Sequence, residues 1–369
     1  MLTSLGIGGA ERQVVALSEA LKARGHAVAL LVLEAERIEE WPTSVEVMRL
    51  EMHKTPPGLV AGLAIARRLM RDFQPDLIHS HTFPANMAAR LLRLMYSAPV
   101  LSTIHNVYEG SSARMAAYRL TDPLCRCTTA VSHAAAERFI RLKAVPKRKC
   151  LVLTNGIDTV EFAPSRERRE KARKTMGASG EFIWLAAGRI VPAKDYPNLL
   201  RGFAGVRAAS LGAQLWIAGE SSGPEAAAVK ALAGELGLGE SVRWLGLRRD
   251  MAGLLDAADG FVLASAWEGM PLAVGEAMAM EKAVAATDVG GVRELVGETG
   301  RIVPAKSPES LAQAMLELMR TTAEERKRLG RTARERIERQ FSMEAKADEW
   351  EALYRRVLAS HRGSCSGWF

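Results

Sequence analysis

Two glutamates, Glu268 and Glu276, stand with seven residues between them in SAWEGMPLAVGEAMAM, residues 265–280. DGFVLAS reads as a buried strand, AWEGM as the loop at its carboxyl end and PLAVGEAMAM as a helix. Pro271 suits the first turn of that helix, where its fixed φ helps and its missing N–H costs nothing. Glu268 is then offered from the loop, and Glu276 from one to two turns into the helix, on a face that reaches the same ligand. Between them, the unpaired amides around Met270, Pro271 and Leu272 carry the positive end of the helix, proline itself giving none. Two acceptors of hydroxyl hydrogen bonds that flank an anion site describe a nucleotide sugar, one carboxylate for the sugar and one for the ribose.

A second constellation lies in LAAGRIVPAKDYPNLL. Arg189 and Lys194 are five residues apart in a strand-to-helix loop, at the strand end where open α/β sheets take their ligands. A planar guanidinium and a point charge converging there suit a diphosphate. Near the start, SLGIGGAERQ places Gly6, Gly8 and Gly9 between a strand stub and a helix. Glycines there let backbone approach a ligand, and the helix N-terminus supplies free amides. The spacing is not that of the dinucleotide fingerprint G-x-G-x-x-G. His79 and His81, in LIHSHTF, have an H-x-H spacing that some metal sites use, but no second cluster of ligand spacing completes one, and lining of the acceptor side is the expected role. Trp41 and Trp267 read as packing residues. Cys125, Cys127, Cys150 and Cys365 are too few and too scattered for a disulfide framework and read as free thiols.

The elements that must hold these groups alternate along the whole chain. HAVALLVL, PDLIHSH, APVLSTIH, CTTAVS and KCLVLTNG read as strands in the first half, and EFIWLAAG, AQLWIAGE, SVRWLG, DGFVLAS and KAVAATD in the second. Helical patterns lie between them, such as SHAAAERFIRL with Ser132 as its cap. Short apolar strands alternating with helices make parallel sheets covered on both faces, and 369 residues are enough for two such domains. The expected division is residues 1–157, residues 158–340 and a C-terminal helix and tail over 341–369, with Trp350, Leu353, Tyr354 and Val357 on one helix face, expected to pack back on the first domain. The first strand, before GIGG, is reduced to MLTS or thereabouts.

Charge separates the halves: residues 1–180 carry a net +9 and residues 181–369 a net −1. A basic first half attracts nucleic acid, an anionic membrane or a phosphorylated substrate. Against the first stand the absence of a recognised nucleic-acid motif and the sparse aromatics, so no nucleic-acid partner is expected. No apolar run approaches the roughly 20 residues of a membrane span, and the start lacks a basic leader, which gives a cytoplasmic expectation.

Taken in order, GG-A-E, STIH, TNGID, GRI…AKD, EGMPLAVGE followed by EAMAM, and VGGVREL resemble the retaining glycosyltransferases of family four, the glycosyl transferases group 1. The resemblance covers almost the whole chain and implies the GT-B fold, α/β, with two doubly wound Rossmann-like domains facing a central cleft, the first for the acceptor and the second for the donor. It implies that Arg189 and Lys194 hold the donor diphosphate, Glu276 the ribose and Glu268 the transferred sugar. His105, in STIHN, matches the family's active-site histidine; Gly8 and Gly9 match the loop over the phosphates, and Asn155 and Asp158 look structural. No metal and no cofactor are expected, the nucleotide-diphosphate sugar being a substrate, and the chain has no D-x-D carboxylate pair. The partners are a nucleotide sugar and a carbohydrate or lipid-linked acceptor in polysaccharide or glycolipid synthesis. The basic stretch with Arg138, Arg141, Lys143, Lys147, Arg148 and Lys149 would give peripheral contact with anionic lipid. Two departures touch packing: Gly275 replaces a more usual apolar residue, and MEKAV, with Glu281 and Ala283, replaces Gly-x-Pro-Val. The rival readings are a non-enzymatic basic nucleic-acid binder and another nucleotide-sugar enzyme, an epimerase or phosphorylase.

Overall fold

A computed structural model describes residues 1–34, 43–52, 55–210, 212–220 and 222–362; Trp41 and Cys365 lie outside the described residues. The chain forms two compact units, one of Met1–Gly156 with Met343–Phe369 and one of Ile157–Ser342.

In the first unit, β1 (Ala29–Val32) and β2 (Glu46–Arg49) pair in parallel, and β3 (Ile78–His81), β4 (Val100–Ile104), β5 (Cys127–Ala130) and β6 (Cys150–Val152) form a second parallel set in that order. The strand stub at the start joins them. Leu2 makes a parallel bridge to Val32, its N–H donates to Leu31 O, and Met1 exchanges hydrogen bonds with β3 through its own amine to His79 O (2.6 Å) and its carbonyl to His81 N. A two-residue stub thus does the work of a central strand, because its amides and carbonyls are satisfied on both sides. The helix Met343–Arg362 buries Trp350, Leu353 and Val357 against Leu17 and Leu21 of the helix Gly9–Ala23 and Leu101 of β4. Each such buried side chain contributes roughly 1.5–3 kcal/mol by leaving water.

The second unit is wound on one six-stranded parallel sheet of β7 (Phe182–Ala187), β8 (Ala213–Ala218), β9 (Val242–Gly246), β10 (Gly260–Leu263), β11 (Ala283–Thr287) and β12 (Arg301–Val303), in the order β12-β11-β10-β7-β8-β9. The strand order reverses between β7 and β10, and loops that leave the carboxyl ends of strands at such a switch point are free to part and take a ligand. Among the described residues, no helix is long and apolar enough to cross a membrane.

Candidate functional site

In the second unit the site is built where that reversal occurs. The loop after β7 carries Arg189 and closes in a short turn, Pro192–Lys194; the loop after β10 carries Glu268. One backbone hydrogen bond, Ala266 N to Ala193 O at 2.8 Å, ties the loops together. Lys194 Nζ meets Glu268 Oε1 at 2.5 Å, and Ser265 Oγ donates to the same oxygen at 2.7 Å. Thr287, at the end of β11, donates from Oγ1 to Ser265 O (2.7 Å) and so holds Ser265. Glu268 is only 8% exposed, so its charge depends on these two donors. Arg189 is exposed.

Beyond this pair the helix Leu272–Ala279 begins at Pro271, with no side chain capping it. Val274 and Gly275 donate back to Pro271 O, whereas the first amides of a helix have no intrahelical acceptor and leave positive potential at its start. Glu276 is buried in this helix, as are Met270 and Pro271 at its entry. The loops after β7 and β10 thus carry Arg189, Lys194, Glu268 and Met270, the helix entered at Pro271 carries Leu272 and Glu276, and Lys194 with Glu268 joins the two loops. Trp267 is half-buried in the same loop.

Gly8, Gly9 and His105 belong to the first unit. Gly8 is the N-cap of the helix Gly9–Ala23 in an extended conformation that any residue adopts. Its value is space: a Cβ there would stand 2.3 Å from Glu11 Oε2, so the carboxylate of Glu11 folds over the glycine. His105 follows β4. Its backbone N–H donates to Glu109 Oε1 (3.1 Å), and its Nε2 lies 3.0 Å from His81 Nδ1. Glu109 Oε2 accepts from Tyr118 Oη (2.7 Å), whose oxygen accepts from Asn86 Nδ2 (2.9 Å). Sequence reasoning missed Glu109, Tyr118, Asn86 and Ser265; the spacing H-x3-E after a strand was the available signal for Glu109.

The readings of His81 and Lys149 change, and those of Asp158 and of the described cysteines stand. His81 is 4% exposed and turned to His105 instead of lining a surface. The His79 ring packs against it, tilted by 43° with centroids 3.9 Å apart, and bonds Tyr354 Oη and Thr103 Oγ1, each at 2.7 Å. Among the described residues no group of three or more His, Cys, Asp or Glu is placed to hold a metal ion. Lys149 turns inward to Asp122 (3.0 Å) and to the carbonyls of Asp122 and Cys125, which takes it out of the lipid-facing set. Asp158 Oδ1 accepts from the amides of Val160 and Glu161 at 2.9 Å, a turn-forming role. Burial pushes the Cys127 thiol up to about 12 and the Cys150 thiol up to about 11, so both are inert near neutrality.

The histidine cluster also sets a pH dependence. Desolvation lowers the pKa of His79 and His81 well below the usual histidine range and that of His105 to about 4. Such groups stay neutral in the fold and take up protons on unfolding, so the stability they leave intact at pH 8 is lost as pH falls through their unfolded values. Glu109 acts oppositely: desolvation raises it to about 7, so its contribution grows as pH falls from about 7 towards the ordinary carboxylate range. Three bases outweigh one acid. The melting temperature of the first unit is expected to fall by roughly 5–10 °C between pH 8 and pH 5. Calorimetry across that range checks it, and a flat profile would show that these histidines are charged in the fold.

The model of Glycosyltransferase Family 4 matches residues 7–161, and that of Glycosyl transferases group 1 matches residues 181–321. The chain belongs to the group 1, family 4 glycosyltransferases. It is 29% identical to the putative teichuronic acid biosynthesis glycosyltransferase TuaC of Bacillus subtilis, over 70% of this chain and 65% of that protein. It is 29% identical to the D-inositol 3-phosphate glycosyltransferase of Corynebacterium glutamicum, over 77% of this chain and 73% of that one. The chain thus spans about two thirds to three quarters of the length of these relatives. The solved structure of Anabaena Alr3699/HepE in complex with UDP and glucose superposes with a TM-score of 0.82 over 96% of this chain and 98% of that one, at 21% identity. The fold is of the GT-B class, with two Rossmann-like units.

Where this glycosyltransferase departs from its family's usual residues, the structure gives the physical reason for one change and a cost for the other. A Cβ on Gly275 would meet Ile157 Cδ1 at 2.6 Å: the isoleucine fills the space that a side chain at 275 would take. Glu281 adopts φ +58°, the left-handed region that its family's glycine suits. A non-glycine residue there costs about 1 kcal/mol, so Glu281→Gly is expected to raise the melting temperature of the second unit by about 2–4 °C. Thermal denaturation checks it, and an unchanged or lower value would show that the Glu281 side chain offsets the strain.

Proposed function

We propose that this family 4 glycosyltransferase moves a sugar from a nucleoside-diphosphate sugar to a hydroxyl of a carbohydrate or lipid-linked acceptor, with retention at the anomeric carbon and without a metal. The observation that carries the reading is the convergence of Lys194 and Glu268 at the switch point of the second sheet, in loops that also present Arg189 and the start of the Leu272–Ala279 helix. As the bond from the anomeric carbon to the diphosphate breaks, negative charge grows on the leaving oxygens. Arg189 and Lys194 neutralise it, and the helix amides add partial positive charge, each such preorganised contact contributing about 3 kcal/mol. Glu268 then orients the sugar through its hydroxyls, with Lys194 and Ser265 fixing its Oε1, and Glu276 holds the ribose. Gly8 and Gly9 form the loop over the phosphates. His105 is the group that the first unit contributes to the reaction. Glu268 is assigned no nucleophilic role.

A uridine nucleotide is the proposed donor base, supported by the UDP and glucose of the HepE complex. Polysaccharide and inositol-phosphate acceptors are supported by the names of the relatives. Calorimetric titration of UDP, GDP and ADP and of their sugar conjugates, in buffer containing EDTA, tests the donor half. One nucleotide is expected to bind with micromolar affinity, and NMR of the product formed with candidate acceptors then reads the anomeric configuration. Absence of binding by every nucleotide sugar would sink the proposal; binding that requires a divalent ion would remove its metal-free part.

A further inference from the structure

We infer that His81 is a positioning residue of the transfer reaction: by engaging Nε2 of His105 it fixes the orientation of that imidazole and leaves Nδ1 as the nitrogen that meets a sugar hydroxyl. The inference rests on the assignment of His105 to the reaction made above.

Its basis is geometric. A neutral imidazole has one N–H and one bare nitrogen, and the partner of one nitrogen decides what the other can do. His105 Nε2 is engaged by His81 Nδ1 at 3.0 Å, with the ring centroids 5.2 Å apart. Among the described residues, His105 Nδ1 makes no hydrogen bond. The main chain that carries the ring is held as well, since the backbone N–H of His105 donates to Glu109 Oε1 at 3.1 Å.

His81 can serve as this anchor because it is itself immobilised. It closes β3, its backbone N–H is bonded to Met1 O, its ring packs against His79 with centroids 3.9 Å apart, and it is almost fully buried. His79 in turn is pinned at both nitrogens, by Tyr354 on the C-terminal helix and by Thr103 on β4. Thr103 Oγ1 continues to Thr129 Oγ1 on β5 at 2.7 Å. A chain of contacts therefore runs from β5 and the C-terminal helix through His79 and the buried His81 to the histidine that follows β4.

Two replacements separate hydrogen bonding from volume. His81→Asn places an amide close to where Nδ1 stood and keeps the contact, whereas His81→Phe keeps a ring and removes it. The Phe variant is expected to lose about 10²-fold in kcat with little change in donor KM, the size of effect that small misplacements of a reacting group produce, and the Asn variant is expected to stay within about threefold of wild type. Independently of activity, 13C relaxation of the His105 ring in wild-type protein is expected to show one fixed ring orientation, and that of the Phe variant exchange between orientations. A His105 ring that exchanges between orientations in the wild type would overturn the inference even if neither variant folds. So would a folded Phe variant of full activity. His105→Ala is the control that keeps the two levels apart. If it is fully active, the role of His105 itself falls; if it is inactive while His81→Phe is fully active, only the role of His81 falls.

Discussion

Lys194→Ala is expected to lower kcat/KM for transfer by about 10³-fold, and Glu268→Ala by at least about 10²-fold, the range seen when one preorganised electrostatic contact to a transition state is removed. The structure adds a signature that a simple loss of contacts would not produce. Lys194 and Glu268 form a pair at 2.5 Å in which the carboxylate is 8% exposed. Removing the lysine leaves a buried negative charge with Ser265 Oγ as its remaining donor to Oε1, and breaking a buried pair from one side costs about 3 kcal/mol. Removing both partners relieves that cost. Each single variant should therefore be less stable than wild type in urea, the double variant should recover most of the difference, and transfer should stay lost in all three. A fully active Lys194→Ala enzyme would show that the pair belongs to the fold alone.

The reach of sequence reasoning can be judged from the same residues. Lys194 and Glu268 were legible because a charged residue just past a buried apolar strand, and just before a helix, can only lie at a strand end. Parallel sheets put all such ends on one edge. The edge strands β2, with its exposed and half-buried EVMR, and β12, three residues long, were missed. Neither carries the apolar run that marks a central strand. The environment of His105 was hidden for a different reason. Glu109 is four residues away in sequence, but its partner Tyr118 is on the next helix and Asn86 on the one before it. Only the winding of the chain brings the three together. Lys149 shows the same limit from the other side: composition placed it in a basic surface stretch, and a carboxylate 27 residues earlier turns it inward. Ile157 over Gly275 is a compensation between positions 118 residues apart in sequence, which no local pattern reports.

Gly290→Ala should nearly abolish transfer although residue 290 has no charge and no polar side chain to contribute. Gly290 sits in VGGVREL at φ +54°, where a non-glycine residue is already strained, and a Cβ on it would stand 2.1 Å from Glu268 O and 3.0 Å from Gly269 O. Both are backbone atoms, so no side-chain rotation relieves the overlap. The neighbouring amide, Gly291 N, is bonded to Gly269 O at 2.7 Å, so the two loops cannot simply separate without leaving that hydrogen bond unmade. What must move is the backbone of Glu268, and with it the carboxylate that Lys194 and Ser265 hold. A displacement of about 1 Å at a reacting group costs about 10²-fold in rate. The strain and the lost loop contact should also lower stability by about 2–3 kcal/mol. Kinetics with a saturating donor separate the two effects: a reduced kcat in protein that is still folded at the assay temperature places the glycine in the support of Glu268. An Ala variant with wild-type kcat would show that the loop after β10 holds the carboxylate without help from the loop after β11.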